Sequence, residues 1–166
     1  MLHYHNVMKE KQVVLLTLDE AHSHFAVAYN QAVWKHLENE ERSQEDTQTM
    51  IHSAHASLMH WAASSKAHPM HHARALYLLA TVYTAANRYA EAIFYAKACS
   101  DYTDLHKSEL RDFDLAYMYL ALGRAYALDN QRLASMEYFT LSRQAGNQIA
   151  DEEDKKIFLN DFRTKV

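Results

Sequence analysis

Apolar positions recur at helical spacing along almost the whole chain. Thr17-Leu18-Asp19-Glu20 has the form of a capping box, in which Thr17 takes an orphan amide and Glu20 reaches back. Phe25, Ala28, Tyr29 and Ala32 then predict the apolar face of a first helix, which fades in the charged stretch Glu38–Arg42. Ser43 to Asp46 offers a second cap, and Ile51, Ala54, Leu58, Trp61, Ala62 and Ser65 form the next stripe. His68-Pro69 breaks it, because the residue before proline avoids the helical region, and Pro69 suits the first turn of a third helix.

The third helix carries Leu76, Leu79, Ala80 and Tyr83, and Asn87-Arg88 is a turn. The fourth carries Tyr89, Ala92, Ile93, Ala96 and Cys99, followed by a polar link from Ser100 to Arg111. Asp112 reads as the N-cap of a fifth helix with Leu115, Tyr119, Leu122, Gly123 and Tyr126 inward. Asp129-Asn130 turns the chain into a sixth helix with Leu133, Met136, Phe139 and Thr140 inward. The acidic run Asp151–Asp154 heads a last helix, where the helix dipole favours negative charge, and Ile157, Phe158 and Phe162 are its apolar side. Residues 1–16 are ambiguous in pattern and read as partly mobile.

Two of these segments repeat. Leu76, Leu79, Ala80, Tyr83, Asn87, Ala92 and Ala96 align without gaps, 43 residues on, with Tyr119, Leu122, Gly123, Tyr126, Asn130, Ser135 and Phe139. The small residues Ala80 and Gly123 stand where two helices must approach closely, and the tyrosines one turn later fill the space beside them. This large-x-x-Leu-small-x-x-Tyr pattern, followed by small-x-x-x-large, resembles the tetratricopeptide-repeat family over residues 70–143. The offset exceeds the family's period of roughly 34 residues, so the helices or the link are longer. A generic helical bundle is the alternative pattern.

The resemblance implies an all-α fold of about seven helices, in antiparallel pairs stacked as a right-handed array. The whole chain, 1–166, forms one such domain. Residues 19–65 are a repeat-like pair, 70–104 and 112–147 are two repeats, and 151–163 cap the end. In such stacks the first helix of each pair lines a concave groove. Carried onto this sequence, the groove shows Arg74, Tyr77, Thr81 and Thr84, then Tyr117, Leu120, Arg124 and Ala127. The family's chaperone-tail binders have a Lys/Asn clamp where Tyr77, Thr81, Leu120 and Arg124 stand here, which implies a different ligand. The expected function is a non-enzymatic adaptor that binds a peptide or protein through Arg74, Tyr77, Thr81, Tyr117 and Arg124, the arginines forking onto carboxylates. The plainer reading of Arg74 and Arg124 is ordinary ion pairing.

Composition removes several classes. The 166 residues contain two Gly and one Pro, too few for the turns of a β-sandwich or for a phosphate-binding loop. At 49% apolar the chain is expected to fold. A net charge of −4 without a Lys/Arg cluster argues against nucleic-acid and polybasic membrane partners. One cysteine, Cys99, on an apolar helix face, fits a reducing cytoplasm and an inert thiol. The run Val13–Leu16 is too short for a signal-peptide core or a membrane span.

Twelve histidines are the strongest chemical signal, grouped mainly as His22/His24, His52/His55/His60 and His68/His71/His72. His52/His55 and His68/His72 have spacings that place two imidazoles on one helical face, as metal sites do. No HExxH or CxxC motif accompanies them, so no cofactor is expected, and the four remain the metal-site candidates. His55 lies on the apolar stripe and is expected to be largely buried, with Asn30 or His52 as partner. A small-molecule or metal-binding protein centred on His52 and His55 is therefore the competing function. A self-associating structural subunit, a homodimer covering apolar edges, is the third.

Overall fold

A computed structural model describes residues 15–164. The expectation that residues 1–16 are partly mobile falls, for 1–14, outside the described residues. Among those described there are seven α-helices and no strand: α1 (Leu18–Leu37), α2 (Gln44–Ala63), α3 (Pro69–Ala85), α4 (Tyr89–Leu105), α5 (Asp112–Leu128), α6 (Arg132–Asn147) and α7 (Glu152–Arg163). None is long and apolar enough to cross a membrane.

The capping chemistry works as the residue types dictate. Thr17 Oγ1 accepts from Glu20 N, and the Glu20 carboxylate accepts from Thr17 N. Ser43 and Asp46 do the same for α2. Arg42 donates to the carbonyls of His36, Leu37 and Asn39, closing the end of α1. Asp151 accepts from the amides of Glu153 and Asp154 at the head of α7. The N-cap of α5 is Arg111, one residue before the expected Asp112; Asp114 accepts from the Arg111 amide instead. α4 runs past Ser100 to Leu105, because Tyr102 continues the packed face by lying between His72 and His106.

The helices pack as three consecutive antiparallel pairs, α1/α2, α3/α4 and α5/α6, with α7 against α5 and α6. α1 also meets α3, and α3 meets α5, so the first helices of the pairs share one layer. The 43-residue offset holds at atomic detail. Asn87 and Asn130 both turn with positive φ, 57° and 58°. After each, an amide returns to a tyrosine carbonyl, Arg88 to Tyr83 and Gln131 to Tyr126, the Schellman closure of a helix end.

A buried small donor ties each pair together. Ser57 Oγ donates to the Ala26 carbonyl at 2.9 Å, Cys99 Sγ to Ala73 at 3.4 Å, and Ser142 Oγ to Ala116 at 2.9 Å. Cys99/Ala73 and Ser142/Ala116 are again 43 apart, and Ser57/Ala26 extends the arrangement to the first pair. Such contacts bring backbones close, and they reorganise two predicted faces. α1 buries Ala26 and Val33, while Phe25 and Tyr29 remain 44% and 36% exposed. α6 buries Ser135, Ser142, Ala145 and Gly146, while Leu133 and Met136 are 85% and 56% exposed. Hydrophobicity ranks the large side chains inward, but a close helix approach admits only small ones.

The main core joins Val33, Met50 and Ile51 to Leu76, Leu79, Val82, Met118 and Leu122. A second forms where Phe158 of α7 inserts among Ala116, Leu120, Ala145 and Ile149. Full burial of that one ring contributes about 2–3 kcal/mol. It also places the C-terminal turn of α7 beside the first-helix layer.

Candidate binding groove

The layer of first helices presents a cavity of about 240 Å³. α1 supplies Asn30 and Trp34, α3 supplies Ala73, Arg74 and Tyr77, and α5 supplies Phe113, Asp114 and Tyr117. Cys99 of α4 lies at its base, and Asp161 of α7 closes one side. A more open depression of about 810 Å³ continues from it, sharing Trp34, Tyr77 and Asp161 and adding Thr81, Arg124 and Thr164 with the Leu37–Arg42 corner. The five sequence-predicted residues Arg74, Tyr77, Thr81, Tyr117 and Arg124 therefore line two adjoining depressions, with Tyr77 common to both.

Their hydrogen bonds define what each has to offer. Arg74 forks onto Asp114, Nε to Oδ1 at 2.7 Å and Nη2 to Oδ2 at 3.3 Å, and its guanidinium lies 4.7 Å from the centre of the Phe113 ring. The bidentate carboxylate expected from a ligand is thus supplied by the chain itself. Arg124 donates to the carbonyls of Asp161 and Thr164, at the end of α7. Thr81 is buried, and its hydroxyl donates to the Tyr77 carbonyl, so it offers its methyl more than a donor. Thr84 likewise donates to Ala80. Leu120, expected in the groove, is fully buried because α7 packs over it. Ala127 stays exposed.

The two tyrosines meet edge to face, with ring centres 5.2 Å apart. Tyr117 donates to Asp161 Oδ2 at 2.6 Å. Burial pushes the phenols of Tyr77 and Tyr117 above the ordinary tyrosine range, and for Tyr117 the donated bond to Asp161 adds to it. Both remain neutral near pH 7. Burial also pushes the Cys99 thiol up to about 12, so the sulfur at the cavity base is a packing atom, not a nucleophile.

Trp34, Asp114 and Asp161 complete the groove without having been singled out as binding residues. Trp34 opens a repeat-like Trp-x-x-Leu segment, and that was its only signal. Asp114 reads as a helix-start acid, which it also is. Asp161 reaches the groove only because Phe158, one turn earlier, is buried.

The histidines lie elsewhere. His55 is half-buried, and its Nε2 is 2.8 Å from the Tyr83 hydroxyl, with Tyr95 also edge-on to its ring. Tyr83, not the expected Asn30 or His52, is its partner; Asn30 lines the groove cavity and His52 is exposed. The His68 amide donates to His71 Nδ1 at the start of α3, His71 stacks on Trp61, and His72 stacks on Tyr102. His22 and His60, far apart along the chain, meet Nδ1 to Nδ1 at 2.9 Å. Among the described residues no three His, Cys, Asp or Glu side chains are grouped to hold a metal ion.

No protein-family model matches the chain, and no curated protein or solved structure matches it.

Proposed function

We propose that this protein is a non-enzymatic adaptor of the tetratricopeptide-repeat kind that binds a peptide or protein segment in the groove of its first helices. The observation that carries the reading is the convergence of Trp34, Tyr77, Phe113 and Tyr117, from three separate helices, on one cavity. Aromatic walls with fixed polar groups at the rim are what a side-chain anchor needs. The internally paired Arg74 and Asp114 hold the walls in place, leaving no buried charge for the ligand to satisfy. With Cys99 as the one cysteine, a reducing cytoplasm is the compartment this reading assigns.

Selection of displayed peptides on the immobilised protein tests it, with Trp34→Ala as the comparison. Trp34 belongs to neither apolar core, so its truncation removes the groove wall and leaves both cores intact. Peptides enriched on the wild type and lost on the variant support the groove. Peptides that bind both equally remove it.

One observation favours a second reading, self-association: Leu133 and Met136 stand largely exposed on α6. Light scattering at two concentrations, with Leu133→Glu as the comparison, decides whether that face joins copies of the chain.

A further inference from the structure

The charge around the groove says what kind of peptide suits it. Its lining carries four carboxylates, Glu38, Glu40, Asp114 and Asp161, against three guanidinia, Arg42, Arg74 and Arg124. Each guanidinium already donates within the chain. Arg74 is held by Asp114, whose side chain is 4% exposed. Arg42 and Arg124 sit on the terminal carbonyls of α1 and α7, where two helix dipoles present their negative ends. Among the described residues, Glu38, Glu40 and Asp161 are within ion-pair distance of no Lys, Arg or His side chain. The rim therefore carries one more carboxylate than guanidinium beside an aromatic cavity, and three of those carboxylates have no cationic side chain at hand.

We propose that the groove selects basic peptides. An apolar side chain fills the cavity between Trp34, Tyr77 and Tyr117, and a flanking lysine or arginine lies against Glu38, Glu40 and Asp161. The exposed face of Trp34, beside those acids, adds cation–π attraction for the same flank. This inference rests on the groove reading above and assigns its ligand class.

Two pools of labelled synthetic peptides of equal length, each with a central leucine or phenylalanine, test it by fluorescence anisotropy on the full chain. One pool has Lys/Arg flanks and the other Asp/Glu flanks. The basic pool is expected to bind about tenfold tighter at low salt, with the gap narrowing as salt rises. The double substitution Glu38→Gln, Glu40→Gln should weaken basic peptides about three- to tenfold, with an unchanged melting temperature. Trp34→Ala should abolish binding. Acidic peptides that bind as tightly or more tightly, and still require Trp34, overturn the basic preference and leave the groove reading standing. Basic peptides indifferent to the Glu38/Glu40 change overturn the preference too. If neither pool binds, or binding survives Trp34→Ala, the groove reading falls together with this one.

Discussion

Arg74 on α3 donates through Nε to Asp114 Oδ1 on α5 at 2.7 Å, joining the second and third helix pairs beneath the groove. The two ends differ in setting: the Asp114 side chain is 4% exposed and that of Arg74 37%. Removing the arginine leaves a buried carboxylate with the Arg111 amide as its remaining partner. Arg74→Met should therefore cost about 2–3 kcal/mol, the solvent-facing side of the guanidinium moderating the loss. The double change Arg74→Met, Asp114→Leu should be more stable than Arg74→Met alone. Urea denaturation of the three proteins measures both; equal stability of the single and double variants would remove the buried charge as the cause.

The two glycines should respond differently to alanine. A Cβ on Gly146 would overlap the Phe158 ring, which is fully buried and has nowhere to move. Gly146→Ala is expected to cost about 2–3 kcal/mol and to loosen α7. A Cβ on Gly123 meets the half-buried Phe139 ring at 2.9–3.1 Å, a tighter approach than normal that a small ring shift relieves. The helix-propensity gain of about 1 kcal/mol offsets that shift, so Gly123→Ala should lie within about 1 kcal/mol of wild type. Hydrogen exchange over residues 152–163 separates loosening of α7 from global destabilisation.

Asn87 and Asn130 hold the left-handed turn of their repeats. Replacement by Gly should be nearly neutral at either site, and replacement by Ala should cost about 1 kcal/mol, the penalty a Cβ meets in that region. Thermal melts of the four variants test this. Similar effects at both sites would follow from the shared closure to Tyr83 and Tyr126.

Acidification should destabilise the fold. Burial holds His55, His71 and His72 below the ordinary imidazole range, with neighbouring charge on His52, on His68 and Arg74, and on His106 adding to each respectively. The unfolded chain then binds more protons than the folded one once pH drops below the unfolded value of about 6.5. Stability contributed by the neutral rings is whole above that value and declines as pH falls towards the depressed folded values. Melting temperature should drop between pH 7.5 and 5.5. His72→Phe, which keeps a ring on Tyr102, should flatten part of that slope. A slope identical to wild type would assign the effect to other groups.

The pattern of apolar and polar residues determined the helices and most of their caps, because each depends on neighbours within a turn or two along the chain, and it carried the 43-residue repeat as matched residue types. Thr17/Glu20, Ser43/Asp46, Pro69, Asn87 and Asn130 all act locally, and all were legible. Arg74, Tyr77, Thr81, Tyr117 and Arg124 lie around the cavity and the depression beside it, while Leu120, the repeat equivalent of Tyr77, is buried under α7. Which face of α1 and α6 turns inward was decided by tertiary structure alone. Ser57, Cys99 and Ser142 reach carbonyls on a partner helix, and the close approach this requires excludes Phe25, Leu133 and Met136 in favour of Ala26, Ser135 and Gly146. The charge of the groove was decided the same way. Arg74 and Arg124 look available in one dimension, and only the folded chain brings Asp114 and the end of α7 to them, because ion pairs and helix ends satisfy one another across space, at separations a linear pattern does not encode.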